Sequence, residues 1–373
     1  MKHRFVFSLL LAAGLLLLAA GLIGVLTGPD LMQYAFRPPE SRDTTLTRQL
    51  EAAREAMGER FPLLTLHGQK SGVTLSAGSA SVNDVCLYMT GSRWNEVYPR
   101  KLISGRPVSG IDSEQKSKVI VLDRETAFTL FGEADPLGKP VTFGDTKLEV
   151  VGVAEHSRSL GETGSQAAWV PLDVFTDCDL LVLSAPGATD ASLRTAFQTG
   201  AAEVFGAGTL VSMSREKISA TIMPRFALLV LALWLLKRWL KILGRFGSNQ
   251  IRLVREKGKQ CYFGRLFPYA LGRILPLLLL VALTIGAGFG LALLAVSPIR
   301  AFPDWVPESL GDFSAWVSRF WDLVRASAQP VSLQTPEQAA VRFYAVLVRW
   351  GLLCTLLGSI RVILGMKKKG ETD

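Results

Sequence analysis

The sequence predicts an α+β extracytoplasmic domain, an antiparallel sheet with helices, joined to a four-helix transmembrane region. Of the 373 residues, 49% are hydrophobic and 20% are charged, and the apolar residues lie in a few long blocks. Between the first two blocks, residues 28–217 read as short strands and helices, with 19 basic and 24 acidic residues. Residues 237–273 carry ten basic residues and one acidic residue next to an apolar block. A basic cluster in that place indicates a cytoplasmic segment, so we expect no nucleic-acid partner.

The first apolar block predicts a membrane anchor. Phe5 to Thr27 contains 23 residues without a charge and follows the basic residues Lys2 and Arg4. A run of that length crosses a hydrocarbon core of about 30 Å. A cleaved signal peptide is the alternative, but the run is longer than the usual apolar part of a signal peptide and no small-residue cleavage site follows it. We therefore expect an uncleaved anchor.

Three further blocks predict the other spans. Residues 273–298 form an unambiguous span, in which Gly286 and Gly290 make a GxxxG pair that favours close helix packing. The block before it reaches a full crossing as 218–243 if the basic side chains at its ends extend to the headgroups. The last block, 343–365, contains Arg349. An arginine within a membrane is a functional candidate, and the alternative is that its side chain extends to the outer interface.

The Lys and Arg content of each connecting segment predicts the orientation. The N-terminus, segment 244–271 and the C-terminal tail are basic and are expected inside, whereas 297–340 has three basic residues in 44. The predicted order is cytoplasmic 1–4, transmembrane 5–27, extracytoplasmic 28–217, transmembrane 218–243, cytoplasmic 244–271, transmembrane 272–297, extracytoplasmic 298–340, transmembrane 341–366 and cytoplasmic 367–373. The chain is therefore expected to be a multi-pass protein of the cytoplasmic (inner) membrane.

Residues 28–217 read as an α+β domain. A Pro38-Pro39 pair separates the first span from a one-faced helix, on which Leu46, Leu50, Ala53 and Met57 share a side. Strand-like runs and helices then follow. We expect strands in 68–90, 118–123, 140–156 (a hairpin turning at Gly144-Asp145) and 180–186, and helices around 126–131 and 188–206.

The second outer segment, 298–340, predicts an amphipathic helix. Six apolar or aromatic side chains lie at helical spacing in it: Phe313, Trp316, Val317, Phe320, Trp321 and Val324. Aromatic residues on a helix between two spans suit the headgroup boundary of a membrane. Packing of this face against the outer domain or neighbouring helices is the alternative, and the sequence does not decide between the two.

The four cysteines form no metal-binding pattern. Neither a CxxC pair nor a Cys/His cluster is present, so no metal is expected. Cys86 and Cys178 are the two cysteines of the outer domain. They would form a disulfide if that compartment is oxidising, or they are two separately buried thiols.

The sequence predicts no catalytic site and no cofactor. His67 and His156 are isolated from any nucleophile or ligand motif, and no paired-carboxylate or GxSxG pattern occurs. The run GEADPLGKP (132–140) has five residues between its glycines and Pro140 where a phosphate loop needs Ser or Thr. We therefore expect a protein that is not an enzyme, and an ATPase, if one is involved, on another chain.

Residues 101–156 carry a family resemblance. The segment contains, in order, an LxxGRxxxxxD opening, a VIVL strand, an A-x-x-LFG-x-x-DPLGK turn and a hairpin ending in VVGV, and AWVPLDVF follows at 168–175. This order resembles the MacB-like periplasmic core domain of ABC transporter permeases of the MacB/FtsX type. The resemblance covers about 28–217, with one span before it and three after it. Gly132 and Gly138 suit turns that need a positive φ.

The resemblance implies a permease-like subunit that transmits the motion of a cytoplasmic ABC ATPase to the outer domain, for export or for activation of an envelope partner. It also implies a homo- or hetero-dimer with another permease. The ATPase would bind at segment 244–271, with Arg252, Arg255, Lys257 and Lys259 as candidate contacts. Positive-inside topology or contact with anionic lipids explains the same residues. The segment departs from the family's ERxxEIGxxxAxGA-like pattern, which indicates a diverged C-terminal half.

Two other functions stay open from the sequence. A non-transporting membrane-anchored scaffold or sensor would use the outer domain as a binding module, with a tolerant cytoplasmic segment and no ATPase. An envelope enzyme would need a polar catalytic cluster, for which a pocket combining His156 with carboxylates is the one candidate.

Overall fold

The computed structural model describes residues 2–38, 45–259, 263–301, 311–328 and 333–369, apart from the single positions 157, 159, 163, 165, 176 and 189. The chain divides into two compact units. The first contains Met1–Ala220 and Asp322–Asp373, and the second contains Thr221–Trp321.

The outer part of the chain is built mainly from strands, and long helices precede and follow it. The helices are α1 (Lys2–Thr27), α2 (Leu46–Met57), α3 (Trp94–Val97), α4 (Gly110–Glu114), α5 (Arg124–Phe131), α6 (Ala191–Phe205), α7 (Met213–Gly258), α8 (Phe263–Ala301), α9 (Phe313–Ala328) and α10 (Pro336–Lys369). The strands are β1 (Leu31–Phe36), β2 (Thr65–Ala77), β3 (Ala80–Thr90), β4 (Leu102–Gly105), β5 (Val119–Asp123), β6 (Pro140–Phe143), β7 (Thr146–Ala154), β8 (Gln166–Pro171), β9 (Leu180–Pro186) and β10 (Thr209–Ser212).

The described strands form one ten-stranded sheet in the order β10-β1-β9-β2-β3-β8-β5-β7-β4, with β6 pairing to β2 and β7. The α+β class is confirmed. The sheet is mixed, however, because β3 pairs with β8 and β5 with β7 in parallel. Parallel neighbours need a crossover connection, and α5 lies in the one between β5 and β7. Alternation of apolar residues does not distinguish parallel from antiparallel pairing, so the sequence could not show that the sheet is mixed.

Each side of the sheet carries a separate core cluster. Successive side chains of a strand point to opposite faces, and on β3 Val85 and Leu87 join the larger cluster while Cys86 and Tyr88 join the smaller one. Helices α2 and α6 contribute to the larger cluster. The predicted face of α2 is confirmed, since all four of its residues are buried: Leu46, Leu50, Ala53 and Met57.

The family-like segment folds as a scaffold. Arg106 donates two hydrogen bonds to Asp112, at 2.5 and 2.9 Å, and Asp112 forms a capping box with Ser109 at the start of α4. The hydrogen bonds from Arg106, and to a smaller extent those from Ser109, lower the pKa of Asp112 to about 2. Gly105 has φ +73°, and a Cβ there would overlap the carbonyl oxygen of Val151. The LxxGRxxxxxD opening therefore fixes β4 against β7 and starts α4.

Two turns take the conformations that their residues predict. Gly132 and Gly138 have φ values of +62° and +74°, which favour glycine because it lacks a Cβ. The β6–β7 hairpin turns at residues 144 and 145 as predicted, and Gly144 has φ +55°.

Four helices are long and apolar enough to cross a membrane: Val6–Thr27, Met213–Lys257, Phe267–Leu293 and Pro336–Ser359. Each overlaps one predicted span. Segment 244–271, predicted as a loop, is helical in 244–258 and again from residue 263. Its Arg, Lys, Gln and Glu residues are good helix formers, and Arg252 and Glu256 form an i,i+4 ion pair. Which side of the membrane it lies on stays a prediction.

Helices α1 and α10 pack closely through glycines. A Cβ on Gly14 would lie 2.6 Å from the backbone nitrogen of Thr355, and one on Gly351 would overlap the backbone nitrogen of Leu18. Only a residue without a side chain permits such an approach. The predicted GxxxG of α8 differs, because a Cβ on Gly286 or Gly290 would meet no described atom within 4 Å.

Candidate functional site between the sheet and the helix ends

Gln33 occupies the centre of a polar network in the first unit. It lies in the middle of β1 and is completely buried. Its Nε2 donates to the Tyr98 hydroxyl at 2.8 Å and to Glu337 Oε2 at 3.1 Å, and its Oε1 accepts from Thr335 Oγ1 at 2.7 Å. One amide therefore joins the sheet to the first turn of α10.

The residues that begin α10 also contact the Gln33 amide. Thr335 precedes the helix and accepts from the Gln338 backbone N–H, and Pro336 takes the first helical position, where a missing N–H costs nothing. Glu337 follows in the first turn. The start of α10 therefore places two of the three side chains that bond to Gln33, Thr335 and Glu337. The helix begins at Pro336, five residues before the predicted span 341–366, and the limits of that span stay a prediction.

A second strand joins the network through Tyr98. Its hydroxyl, which accepts from Gln33, lies 2.8 Å from Ser184 Oγ on β9. Burial raises the pKa of Tyr98 above its ordinary value. The phenol therefore stays protonated and remains able to donate as well as to accept.

The beginning of α7 is tied to both α10 and the end of α1. Glu216 Oε1 accepts from Gln338 Nε2 at 2.9 Å and from the Arg342 guanidinium at 3.3 Å. Ser214 Oγ donates to Asp30 at 2.5 Å, and Lys217 Nζ donates to the Gly28 carbonyl at 2.6 Å. All of these residues belong to the first unit. Three helix ends and the sheet thus share one set of hydrogen bonds.

A charged relay lies beside the network. Arg100 is 2.6 Å from His156 Nδ1, and His156 Nε2 is 2.8 Å from Glu162 Oε2. A guanidinium only donates, so Nδ1 accepts and the ring proton resides on Nε2, which donates to the carboxylate. The His156 and Glu162 side chains are 4% and 7% exposed. The relay therefore places the His156 ring between the half-buried Arg100 guanidinium and the buried Glu162 carboxylate.

The relay loop packs against α10. Gly161, with φ +108°, lies where a Cβ would come within 2.5 Å of Ala339 Cβ and 2.7 Å of the Pro336 carbonyl oxygen. The loop that carries His156 and Glu162 therefore contacts the same helical turn that Gln33 contacts. Any larger residue at position 161 would separate the loop from the helix.

His67 packs against the aromatic residues next to the network. Its ring is buried and makes edge contacts with Tyr98 and Trp94, at centroid distances of 5.3 and 6.4 Å. Burial and then the positive charge of Arg100 lower the pKa of His67 to about 3. The ring is therefore neutral at any physiological pH, and a packing role suits it better than proton transfer.

The His156 pocket favours a structural role over a catalytic one. His156 does meet a carboxylate, Glu162, but Arg100 and Glu162 use both of its ring nitrogens. A general base needs a ring nitrogen directed at a nucleophile. Among the residues that the structure describes, no group of three or more His, Cys, Asp or Glu could hold a metal ion.

The four candidate ATPase contacts are exposed at the end of α7. Arg252 pairs with Glu256 at 3.6 Å, and Lys257 Nζ lies 3.9 Å from the centre of the Tyr269 ring. Arg255 and Lys259 are exposed as well. They lie in the second unit, whereas the polar network lies in the first. Their role as partner contacts stays a prediction.

The intramembrane arginine and the two outer cysteines lie apart from the network. Arg349 is exposed on α10, without a hydrogen bond or ion pair to the described residues. Cys86 and Cys178 are buried in different core clusters and form no disulfide with each other. The two cysteines belong to opposite faces of the sheet. Most of the predicted aromatic face of α9 lies outside the described side chains.

The network itself was not predicted from the sequence. Its members are Gln33, Tyr98, Ser184, Glu216, Thr335, Glu337, Gln338 and Arg342, and the relay beside it consists of Arg100, His156 and Glu162. Two local signals were present in the sequence. Gln33 is the polar residue of an otherwise apolar strand, LMQYAF, and Thr335-Pro336-Glu337 is a helix-start pattern.

Known proteins share part of this sequence. Residues 17–199 match the family described as the MacB-like periplasmic core domain. The macrolide export ATP-binding/permease protein MacB of Aggregatibacter actinomycetemcomitans is 31% identical over 102 residues, which are 27% of this chain and 16% of that protein. A probable export ATP-binding/permease protein of Pseudomonas fluorescens is 36% identical over 75 residues, 20% of this chain and 12% of that one. The aligned part is thus less than a fifth of either relative.

Two solved structures are also similar. The periplasmic region of MacB from Actinobacillus actinomycetemcomitans has a TM-score of 0.40 at 19% identity, covering 50% of this chain and 90% of that one. The extracellular domain of the noncanonic ABC-type transporter YknZ from Gram-positive bacteria has a TM-score of 0.39 at 18% identity, covering 48% and 100%.

The domain match and the four long apolar helices indicate an inner membrane protein with an extracytoplasmic α+β domain. The match over residues 17–199 identifies this domain as a MacB-like periplasmic core domain, and the relatives that share part of its sequence are export ATP-binding/permease proteins.

Proposed function

We propose that this chain is a permease-like subunit whose polar network transmits ATPase-driven motion of the membrane helices to the outer sheet. The observation that carries the proposal is the Gln33 amide, which bonds to Tyr98 of the sheet domain, to Glu337 of α10 and to Thr335 just before that helix. Motion of α10 therefore reaches a strand of the sheet without an intervening flexible linker.

The network suits transmission because its central side chain, Gln33, is buried. A buried group that loses its hydrogen-bond partner costs about 1–3 kcal/mol. A relative displacement of α10 and β1 would break the two bonds that join Gln33 to Glu337 and Thr335. The helix end and the strand therefore move together more readily than they separate.

The chain performs no chemistry of its own and binds no cofactor under this proposal. A cytoplasmic ABC ATPase, on a separate chain, would dock on the basic end of α7 through Arg252, Arg255, Lys257 and Lys259. The chain would cross the membrane four times with both termini inside, and would pair with an identical or related permease. The work would be export or activation of an envelope partner.

A second function has one observation in its favour. The end of α7 departs from the family's charged pattern, and positive-inside topology explains its basic residues. A membrane-anchored scaffold or sensor would use the sheet as a binding module and would need no ATPase. This alternative predicts that the four basic residues tolerate substitution.

Co-purification tests the proposal. The full chain is isolated from native membranes in a gentle detergent, and the proteins that accompany it are identified by mass spectrometry. We expect a stoichiometric ABC ATPase, and we expect a variant with Arg252, Arg255, Lys257 and Lys259 all replaced by Ser to lose it. Absence of an ATPase even after cross-linking would contradict the proposal and favour the scaffold.

A matched control separates docking from topology. The control variant combines Arg252→Lys, Arg255→Lys, Lys257→Arg and Lys259→Arg. It keeps every charge, so its orientation in the membrane is expected to be unchanged. Accessibility of the outer domain to added protease verifies that orientation for both variants. If the Ser variant is correctly oriented and retains the ATPase, these four residues are not the docking site.

A further inference from the structure

A cavity of about 230 Å³ lies within the outer domain, against the smaller core cluster. Its walls are mostly apolar, with Val108, Val121 and Ala154 beside the rings of Trp94 and Trp169. Two polar residues of the wall already use their donors internally: Thr90 Oγ1 donates to the Val170 carbonyl, and Asn95 Nδ2 to the Val108 carbonyl. The cavity belongs neither to the α10 contact nor to the basic end of α7.

The polar groups of the cavity wall that lack partners are all donors. The indole nitrogens of Trp94 and Trp169 and Nε of Arg100 are buried and have no hydrogen-bond partner among the described residues. Each residue lines the cavity. Buried donors without acceptors are uncommon, because each costs about 1–3 kcal/mol. Three of them around one cavity indicate that an acceptor from outside the chain belongs there.

The charge of the cavity is positive. The Arg100 guanidinium lies over the rings of Trp94 and Trp169, at 5.5 and 4.7 Å from their centres. No Asp or Glu lines the cavity within the described part of the chain. In the relay, Arg100 bonds to the His156 ring, and that ring in turn bonds to the Glu162 carboxylate. A ligand that carries a negative charge would therefore meet a cation whose charge no wall residue neutralises.

We propose that this cavity binds a small organic anion, with a carboxylate that meets Arg100 and a flat apolar body packed against the two indoles. A volume of about 230 Å³ equals that of about eight water molecules, which fits one or two fused rings and excludes a peptide or a lipid. The ligand would join the relay of Arg100, His156 and Glu162 and so lie next to the contact with α10.

Calorimetry on the purified full chain in detergent tests the site, with 2-naphthoate as the probe and 2-naphthamide as its neutral counterpart. We expect naphthoate to bind at least tenfold more tightly than the amide. Arg100→Met should weaken naphthoate binding about tenfold or more and remove the preference for the anion, because a charge-assisted hydrogen bond is lost. Trp169→Phe, which keeps a ring but removes the N–H, should weaken binding several-fold.

A cavity-filling variant keeps the test decisive if Arg100→Met fails to fold. Ala154→Leu places three carbons in the cavity and leaves Arg100 intact, so it should abolish naphthoate binding. The proposal is overturned if neither probe binds at millimolar concentration, or if naphthoate binds the Ala154→Leu and Arg100→Met variants as it binds the original chain. No ATPase enters this experiment, so its outcome is independent of the transport proposal.

Discussion

The two units of this chain use opposite means to hold their helices. In the first unit, glycines bring α1 and α10 into backbone contact, and buried polar side chains tie α10 to the sheet. In the second unit, most large apolar side chains of α7 and α8 are exposed, including Leu231, Trp234, Leu279 and Phe289. A surface of that kind requires hydrocarbon around it. The first unit is therefore held by backbone contacts and buried polar pairs, whereas the described part of the second unit leaves most of its apolar surface exposed.

The glycine contact gives the sharpest test of this comparison. Gly351→Ala adds a Cβ that overlaps the Leu18 backbone, so α1 and α10 must separate. We expect a loss of about 3 kcal/mol in the free energy of unfolding, measured by denaturant titration of the full chain in detergent. Gly288→Ala on α8 is the matched control, since its Cβ would meet no described atom within 4 Å. Equal effects of the two changes would contradict the comparison.

Replacement of the central amide should have the next largest effect. Gln33→Leu keeps the size of the side chain but removes three hydrogen bonds and leaves Thr335 and Glu337 without that partner. We expect the free energy of unfolding to fall by about 2–3 kcal/mol and, under the proposed function, stimulation of the proposed ATPase partner by an outer-domain ligand to weaken.

Gln69→Leu is the control for that change. Gln69 is also buried in the sheet, but its amide nitrogen donates one weak hydrogen bond to the Cys86 sulfur. We expect a loss of no more than about 1 kcal/mol there. If both variants unfold alike while ATPase stimulation persists in Gln33→Leu, the network is structural only.

Asp112→Asn should have the smallest effect, and a dependence on pH. The folded-state pKa of Asp112 is about 2 against an ordinary value of 3.8, so its contribution is present above pH 4 and is lost as pH falls through 2. Because Arg106 is half exposed, we expect about 1 kcal/mol near pH 7. The unfolding curves of the variant and the original chain should converge between pH 4 and pH 2.

Asp145→Asn removes the same charge at an exposed hairpin turn and is the control for net charge. The free energies of unfolding of the Asp112→Asn variant and the original chain are compared from pH 7 to pH 2. If their difference stays constant over that range, the Arg106 ion pair is not the source of the effect.

Local patterns determined how much of the fold the sequence could predict. The α2 face, the β6–β7 hairpin and the four long apolar helices each depend on residues close in sequence, and each is predicted from them. The parallel pairs depend on distant segments, as β3 does with β8, and no local pattern encodes them. The continuation of α7 to Gly258 replaces a predicted loop, because charged residues are typical both of loops and of exposed helices.

The candidate site was harder to predict for the same reason. Gln33 and Glu337 are 304 residues apart, and only the folded sheet brings them within hydrogen-bond distance. His156 stands out in the sequence, yet its partners Arg100 and Glu162 come from either side of it along the chain. A side chain's role in such a network depends on neighbours that sequence spacing does not reveal.

The junction of strands and helices constrains the kind of movement that the sheet can make. Strand β1 follows α1 after three residues, and its edge neighbour β10 runs into α7 without a connecting residue. Sliding one strand past the other by a single residue would turn every side chain to the wrong face, and all six residues of β1 are buried. A force on either helix is therefore expected to tilt the sheet as a whole, because the two strands resist sliding past each other.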